Sequence, residues 1–272
     1  MTRLPCFITF TFVAALTSAP TAFANDSTAK VVAASDIKWG YLNPLRGDKS
    51  PGAADLWGNR TTDTATGMLV RFKKGFESPP HIHNITYRGV VIEGQMHNDD
   101  PNADKMWMPA GSFWTQPAGE NHTTAANANA NLIYLEIDSG PYLVKPSKEQ
   151  FDNGERPLNL HKNNIVWLKA DELKNIEVDG VLSTTLWGSD VGMNGSMIKL
   201  PAGFKGKVIT DASEFRAVVI AGTIEYKSQT KPLKLSPGSY LESEGKYSHF
   251  IENQSDNEAT LYIRSNKDYQ VK

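Results

Sequence analysis

The chain has 272 residues, of which 40% are hydrophobic and 21% are charged, and its formal net charge is −2 at pH 7. This composition is typical of a globular protein with a substantial core. The slightly acidic balance argues against nucleic acid or an anionic membrane as the main partner. We expect a small-molecule substrate or ligand instead, and we leave open whether the chain forms a homodimer.

The first 24 residues have the composition of a secretory signal peptide. Arg3 is followed by an apolar run, and the segment ends with Ala-Phe-Ala, a small-x-small cleavage site. The run is too short to span a bilayer, which weakens the alternative of an N-terminal anchor. Cys6 is the single cysteine and lies in this segment, so the mature chain would have no disulfide and no thiolate metal ligand. We therefore predict a secreted, periplasmic protein that begins near Asn25.

Four sequence segments occur twice in the same order, which indicates duplication of one unit. The first copies begin at Leu56, Met68, Thr86 and Pro109, and the second copies begin at Leu186, Ser196, Glu214 and Ser236. The separation between copies is nearly constant, from 127 to 130 residues. We predict a first unit at residues 25–150, a polar connector at residues 151–162, and a second unit at residues 163–272.

Each unit consists of short runs rich in Val, Ile, Thr, Tyr and Phe, separated by clusters of Gly, Pro and Asn. This pattern predicts an all-β sandwich or barrel. Residues 169–176 are the one stretch with a helical pattern. The acidic stretch from His97 to Lys105 lacks the spacing of a calcium loop, so we predict a hairpin loop that carries His97.

Three of the six histidines are predicted to lie together. His81 and His83 alternate along a strand that follows two prolines, so both side chains face one side of it. Tyr87 has the same parity and would face the same space if the strand is unbroken. His122 follows another strand and a Pro-x-Gly turn. A third imidazole from that neighbouring strand would complete a facial metal site.

These spacings resemble the two sequence motifs of the cupin superfamily. The first motif is matched at Gly75, His81, His83 and Gly94. Tyr87 stands where an acidic ligand is usual. The second motif is matched at Gly111, Pro117, Gly119 and His122, with Ala126 in place of the usual Asn. The resemblance implies two tandem jelly-roll units, also called double-stranded β-helices, with one metal ion inside the first barrel.

The mature chain as a whole further resembles a bicupin family, domain of unknown function 4437, whose units are similar to the ChrR-type cupin. The second unit departs from the motif. Ile209 and Asp211 stand where the histidine pair is expected, and Phe215 takes the place of Tyr87. His249 aligns with His122. We expect the second barrel to be degenerate and to bind no metal.

A divalent ion held by three neutral imidazoles keeps its full double positive charge and favours anionic or chelating ligands. Fe²⁺ would support oxidative cleavage of a small chelating substrate, as the similar three-histidine site of cupin β-diketone dioxygenases implies. Zn²⁺ would instead acidify bound water, giving a hydrolase, lyase or isomerase. A non-catalytic ligand-binding or sensor cupin is a third alternative. We predict a metal-dependent enzyme, with the Fe²⁺ dioxygenase first.

Further residues have predicted roles around this centre. Tyr87 is the candidate catalytic residue, and plain core packing is its alternative role. Gln116 and Glu120 flank His122 and are candidates for hydrogen bonds that orient the metal-binding histidines. Arg88 and Arg216 recur in both units, which favours structural ion pairs. The six tryptophans are expected in the core.

Overall fold

A computed structural model describes residues 29–228 and 231–272. The predicted signal peptide at residues 1–24, with Cys6, lies outside these residues and stays a prediction. The described chain is nearly all β, as the alternation of β-formers with turn residues predicts. Within the described ranges, the helices are all too short or too polar to cross a membrane.

The strands up to and including the predicted connector are short, and most of them end at turns that contain Gly, Pro or Asn. They are β1 (Ala29–Val32), β2 (Gly40–Tyr41), β3 (Gly52–Trp57), β4 (Thr66–Lys73), β5 (His81–His83), β6 (Tyr87–Glu93), β7 (Gln95–Asp99), β8 (Met108–Pro109), β9 (Phe113–Gln116), β10 (Thr123–Ala126), β11 (Ala130–Ile137), β12 (Val144–Pro146) and β13 (Leu158–Leu160).

The remaining strands repeat this arrangement. They are β14 (Leu168–Lys169), β15 (Leu182–Gly188), β16 (Asn194–Leu200), β17 (Lys205–Thr210), β18 (Phe215–Ala221), β19 (Ile224–Lys227), β20 (Pro232–Leu235), β21 (Tyr240–Ser243), β22 (Tyr247–Glu252), β23 (Ala259–Ser265) and β24 (Tyr269–Val271).

The helices of the described chain are short 3-10 segments of three to six residues. They span Ala34–Asp36, Pro44–Lys49, Ser147–Glu149, Lys162–Asn164 and Ala170–Glu172. The helix predicted at residues 169–176 was therefore wrong, because only a turn of three residues forms there. An isolated stretch of eight residues does not recover the cost of helix nucleation unless it buries an apolar face.

Two seven-stranded antiparallel sheets dominate the fold. The first has the order β13-β9-β6-β11-β4-β3-β2, and the second has the order β1-β21-β18-β23-β16-β15-β14. Two small sheets, β10-β7-β8 and β12-β5, accompany the first, and a five-stranded sheet, β20-β19-β22-β17-β24, accompanies the second. The N-terminal β1 pairs with β21 of the second sheet, and β13, from the predicted connector, pairs with β9 of the first. Each thus covers an edge that would otherwise be unpaired.

Glycines at matching positions of the repeated segments have the same backbone conformation. Gly75 and Gly203 both have a φ of 74°, and Gly111 and Gly238 both have a φ of 89°. Side chains other than glycine rarely adopt this left-handed region. The glycines recur at these turns because both copies need the same backbone conformation.

Three apolar clusters hold the fold together. One fills the space inside the first set of sheets and includes Met68, Val91 and Trp114. A second fills the inside of the second set and includes Phe215 and Tyr269. The third lies between the two large sheets and draws on both. Each large sheet is therefore buried on both faces, which explains why its strands are continuously apolar rather than alternating.

The recurring arginines have the structural role that the sequence predicted. Arg88 pairs with Asp138 at 2.8 Å and stacks on Trp187, with 3.7 Å from the guanidinium carbon to the ring centroid. Arg216, in the second half, stacks in turn on Trp57 of the first half, with 4.0 Å from its guanidinium carbon to the ring centroid. Each arginine thus reaches a tryptophan of the other half of the chain, where cation–π contact stabilises the packing.

Candidate metal centre

The three predicted histidines lie together inside the first set of sheets. His81 and His83 are on β5, and His122 immediately precedes β10. His81 and His122 exchange both backbone hydrogen bonds, each with 3.0 Å between nitrogen and oxygen. Such a pair places its two side chains next to each other on one face. His83 joins them because it is two residues from His81 on the same strand.

The imidazole rings are close enough to share one ion. Their centroids are 4.3 Å apart for His81 and His122, 5.1 Å for His81 and His83, and 5.3 Å for His83 and His122. One candidate ligand atom from each ring lies within 4.8 Å of the other two. All three side chains are buried.

Backbone carbonyls determine which nitrogen of each ring faces the centre. Nδ1 of His81 donates to Pro79 O at 2.9 Å, Nδ1 of His83 to Leu143 O at 3.2 Å, and Nδ1 of His122 to Glu120 O at 3.0 Å. A carbonyl can only accept, so each Nδ1 carries the proton. Each Nε2 is left with a lone pair, which is the form of imidazole that binds metals.

Burial keeps the rings uncharged. It lowers the pKa of His81, and it lowers the pKa of His122 to about 3, with a further contribution from His81. The pKa of His83 falls well below its usual value through burial and the two neighbouring imidazoles. Three neutral nitrogen donors therefore converge without competition from protons.

Tyr87 reaches the same space by a route that the sequence did not predict. The strand breaks after His83, and Tyr87 begins β6 in the large sheet rather than continuing β5. Its hydroxyl nevertheless lies 3.3 Å from Nε2 of His122 and donates to Asn98 Oδ1 at 2.9 Å. Burial raises the pKa of this phenol, so it stays protonated.

A buried network of amide side chains connects Tyr87 to the backbone carbonyl that accepts from Nδ1 of His122. Asn98 accepts from Thr124 Oγ1 at 2.8 Å and donates to Gln116 Oε1 at 2.8 Å. Gln116 in turn donates to the Glu120 carbonyl, which also accepts from His122. The candidate role of Gln116 is thus consistent with its position, while Glu120 contributes its backbone oxygen.

Two residues at the site were missed by the sequence analysis. Asn98 was assigned to a loop, and Tyr142 carried no motif signal. The Tyr142 ring stacks on His83 with 4.3 Å between centroids, and its hydroxyl lies 3.2 Å from Nε2 of His83. Burial raises the pKa of Tyr142 well above its usual value. Only the pairing of β12 with β5 brings this side chain to the centre.

The prediction for His97 was wrong. His97 lies on β7, is buried, and packs its ring 6.2 Å from that of Trp107. The acidic composition of the stretch favoured a loop, but the first residues of the stretch pair with β10 instead. His97 is not among the histidines that converge on the centre.

The histidine cluster opens into a cavity of about 610 Å³. His81, His83, Tyr87 and Tyr142 are among the residues that line it. Most of the remaining wall is apolar and consists of side chains such as Val70, Phe72, Phe76, Ile133 and Leu135. A small molecule can therefore reach His81 and His83 along a largely apolar wall.

The donor set fits a divalent metal ion. His81, His83 and His122 would hold it through Nε2, and the carbonyl bonds to Nδ1 are the outer support that metal-ligating histidines usually have. In the described residues, the group of candidate ligands contains no carboxylate. Such a set suits iron, zinc, copper or nickel better than magnesium or calcium.

The described residues of the second half form no comparable centre. The sequence comparison placed Ile209 at the position of His81, but β17 pairs Val208 with His249 as His81 pairs with His122, so Val208 takes that position. Asp211 is exposed and pairs with Lys267 at 3.3 Å. His249 is fully buried, 2.9 Å from Ser243 Oγ and 3.2 Å from the Tyr226 hydroxyl. Its two ring nitrogens are thus occupied by protein groups. Among the described residues, the only convergent group of possible ligands is the one in the first half.

The sheet arrangement and the placement of three histidines in one barrel define a cupin-fold protein with a candidate metal centre. A similar fold occurs in a Nostoc punctiforme protein provisionally described as a dioxygenase. The two chains have 15% sequence identity and a TM-score of 0.67, over 88% of this chain and 83% of that one. The oxalate decarboxylase of Lactobacillus farciminis has 12% identity and a TM-score of 0.57, over 89% of this chain and 87% of that one.

A third solved structure is that of salicylate 1,2-dioxygenase from Pseudoaminobacter salicylatoxidans. It has 12% identity and a TM-score of 0.51, over 78% of this chain and 73% of that one. At these identities the likeness establishes the fold alone. No curated protein sequence matches the chain. The chain belongs to the family described as domain of unknown function DUF4437, whose family model matches residues 30–272.

Proposed function

We propose that the protein is a mononuclear metal-dependent enzyme of the Fe²⁺ dioxygenase type, acting on a small chelating substrate. The observation that carries the proposal is the convergence of three neutral imidazoles at a cavity large enough for an organic molecule. A metal ion with three protein ligands retains open coordination positions, which a substrate needs if it is to bind the ion directly.

Iron supplies the redox chemistry that activates O₂, and the protein supplies binding, orientation and electrostatics. His81, His83 and His122 would hold the ion. Tyr87 and Tyr142 would present protonated hydroxyls beside it, since burial raises the pKa of both phenols. The occurrence of a salicylate dioxygenase among the proteins with this fold supports the reaction class.

A zinc-type hydrolase, lyase or isomerase is the second candidate. The same neutral three-histidine set favours it, because zinc held by three histidines lowers the pKa of bound water towards 7. The oxalate decarboxylase among the similar structures shows that this fold is not restricted to oxygenases. The ligand set alone does not separate the two reactions, but the metal that supports turnover does.

The experiment is anaerobic reconstitution of metal-depleted protein with Fe²⁺ or with Zn²⁺, followed by a screen of small β-dicarbonyls, hydroxy acids and lactones. We expect substrate-dependent oxygen uptake with Fe²⁺ and none with Zn²⁺. Turnover with Zn²⁺ and no oxygen uptake would replace the dioxygenase by the second candidate. Tight binding without turnover under either metal would instead indicate a ligand-binding module.

A further inference from the structure

The cavity beside the three histidines is rich in hydrogen-bond donors. The Tyr142 hydroxyl has Nε2 of His83 as its partner, and a metal ion on that nitrogen would take the lone pair away. The buried indole N–H of Trp114 lies beside Tyr87 but has no acceptor in hydrogen-bonding geometry among the described residues. A ligand that satisfies these groups must bring oxygen acceptors of its own.

The charged side chains around the cavity also favour a ligand with negative charge. No aspartate or glutamate stands among the described residues that line it, whereas Arg46 and Arg60 both do. Arg60 is already engaged by Asp55 at 2.6 Å and by the Tyr41 carbonyl at 2.9 Å. Arg46 is exposed and forms no ion pair with a described carboxylate. One arginine at the mouth is therefore available to an incoming anion.

Between the donors and the mouth, the wall is apolar. Phe72 and Phe76 lie 5.0 Å apart between ring centroids, and Val70, Ile133 and Leu135 complete this part of the lining. Burial of an apolar group here is favourable, because it removes hydrocarbon surface from water on both sides. A small, fully polar anion would leave this surface without a partner.

From these observations we infer that the cavity binds a small organic anion with an apolar body. The oxyanion lies towards the histidines, where Tyr142 and Trp114 donate to it. The apolar body lies along Phe72 and Phe76, and Arg46 attracts the anion from the mouth. This inference rests on the proposed function, since it places the anion beside the proposed metal ion.

The test compares carboxylic acids with their primary amides, which share shape but differ in charge. Three pairs serve as probes: cinnamic, 3-phenylpropanoic and 4-methylpentanoic acid, each with its amide. Binding to zinc-loaded protein is measured by calorimetry at pH 7.5. We expect at least one acid to bind about tenfold or more tightly than its amide, as charge-assisted hydrogen bonds require. If no acid exceeds its amide, the inference is overturned.

Two variants locate the recognition. Tyr142→Phe keeps the ring on His83 but removes the donor, and it should weaken acid binding by about tenfold while zinc content is unchanged. Arg46→Gln should weaken the acids by about two- to fivefold and leave the amides unchanged, as expected for an exposed charge. Lys174→Gln makes the same change in net charge on an exposed residue of the second half, and it should alter neither. Equal behaviour of Arg46→Gln and Lys174→Gln would contradict the role of Arg46.

Zinc content, measured on every sample, separates this inference from the proposed function. Protein that fails to retain zinc at the histidines counts against the proposed metal centre itself. Protein that retains zinc but binds acids and amides equally overturns the ligand class and leaves the metal centre standing.

Discussion

At the residue scale, the chemistry of the centre depends on one proton per ring. A carbonyl oxygen behind each imidazole holds that proton on Nδ1, so the three Nε2 atoms are free to act as ligands. His83 is the most deeply constrained of the three: its ring is held by Leu143 O, stacked by Tyr142 and placed beside both other histidines. Its removal should therefore abolish the site rather than merely weaken it.

The first prediction concerns metal content. His83→Ala should lose stoichiometric metal, because two remaining imidazoles with no third protein ligand do not complete the usual set. Elemental analysis of purified protein measures this directly. His161→Ala is the matched control, since His161 caps a 3-10 turn away from the cluster. Equal metal content in wild type and His83→Ala would eliminate the site.

The second prediction concerns Tyr87, whose hydroxyl lies between Asn98 and His122. Its raised pKa means that it can act as a proton or hydrogen-bond donor at neutral pH but not as a phenolate base. Tyr87→Phe should keep its metal and lose about 10²–10⁴ in turnover rate, the usual contribution of a general acid. Steady-state kinetics with metal analysis tests this. A rate within twofold of wild type would assign Tyr87 to packing, as for Phe215.

At the scale of elements, the strand pair that carries the three histidines in the first copy has a different content in the second copy. In the first copy, β5 and the residue before β10 bring three imidazoles together, and two of them line a cavity. In the second copy, β17 and β22 present Val208 and His249 to a filled interior. Phe215 stacks on His249 with 5.1 Å between centroids, where Tyr87 faces the metal centre in the first copy. The same backbone thus supports a site in one half and a core in the other.

The third prediction follows from the burial of His249. Burial lowers its pKa from the usual 6.5 to about 3, so the folded protein holds it neutral while the unfolded chain takes up a proton below pH 6.5. Its contribution to stability is complete above pH 6.5 and is lost as pH falls towards 3. His249→Gln should therefore flatten the pH dependence of the unfolding free energy by about 1.4 kcal/mol per pH unit between pH 6 and 4.

Urea denaturation of wild type and His249→Gln over this pH range measures the difference. The other buried histidines are present in both proteins, so their contributions cancel in the comparison. Tyr226, which contacts His249, stays neutral throughout because burial raises its pKa. Parallel curves for the two proteins would show that His249 is accessible to protons in the folded state.

At the scale of the whole molecule, equivalent residues of the two copies meet where the two large sheets pack, with 5.4 Å between the ring centroids of Tyr134 and Tyr262. Trp57 donates to the Tyr134 hydroxyl at 3.2 Å, and Trp187 donates to the Tyr262 hydroxyl at 2.8 Å. Two residues after each tyrosine the copies have different residues, because position 136 is Glu and position 264 is Arg. Identical copies would bring like charges together at this buried point.

The pair formed there is almost entirely buried. Glu136 is 0% exposed and accepts from the hydroxyls of Tyr134 and Tyr262, at 2.9 and 2.7 Å. Arg264 is 4% exposed and lies 3.4 Å from Glu136 and 2.8 Å from Asp138. Because Glu136 and Arg264 carry opposite charges, each copy fits the other copy better than it would fit a second molecule of its own kind. This favours packing of the two copies within one chain.

The fourth prediction tests this pair. Glu136→Gln should destabilise the protein by about 3 kcal/mol, because Arg264 is left buried with only Asp138 as a charged partner. Glu136→Gln combined with Arg264→Met should cost less than the sum of the single changes by about 1–3 kcal/mol. Equilibrium unfolding of the four proteins gives the coupling.

The control for this cycle is Glu258→Gln, which breaks the ion pair with Lys199. Glu258 has a side-chain exposure of 53%, so this change should cost less than about 1 kcal/mol. If Glu136→Gln costs no more than Glu258→Gln, the buried pair does not hold the two halves together.

The amino-acid sequence by itself determined the all-β class, the internal sequence repeat and which three histidines lie together. These features depend on short-range rules: alternation along a strand aligns His81 with His83, and the recurring glycines mark turns that need a positive φ. The sequence between Gly203 and Gly222 contains no histidine, so the sequence alone predicts no three-histidine site in the second copy.

Only the tertiary structure decided which other side chains meet the histidines. Tyr142 reaches His83, 59 residues away in the chain, because β12 pairs with β5, and Asn98 reaches Tyr87 from β7. The contact of Glu136 with Arg264 likewise joins residues on different sheets. No local pattern encodes these contacts, because they arise from which strands lie side by side and which sheets face each other. The cavity has the same origin, since it is the space that the packed sheets leave between them.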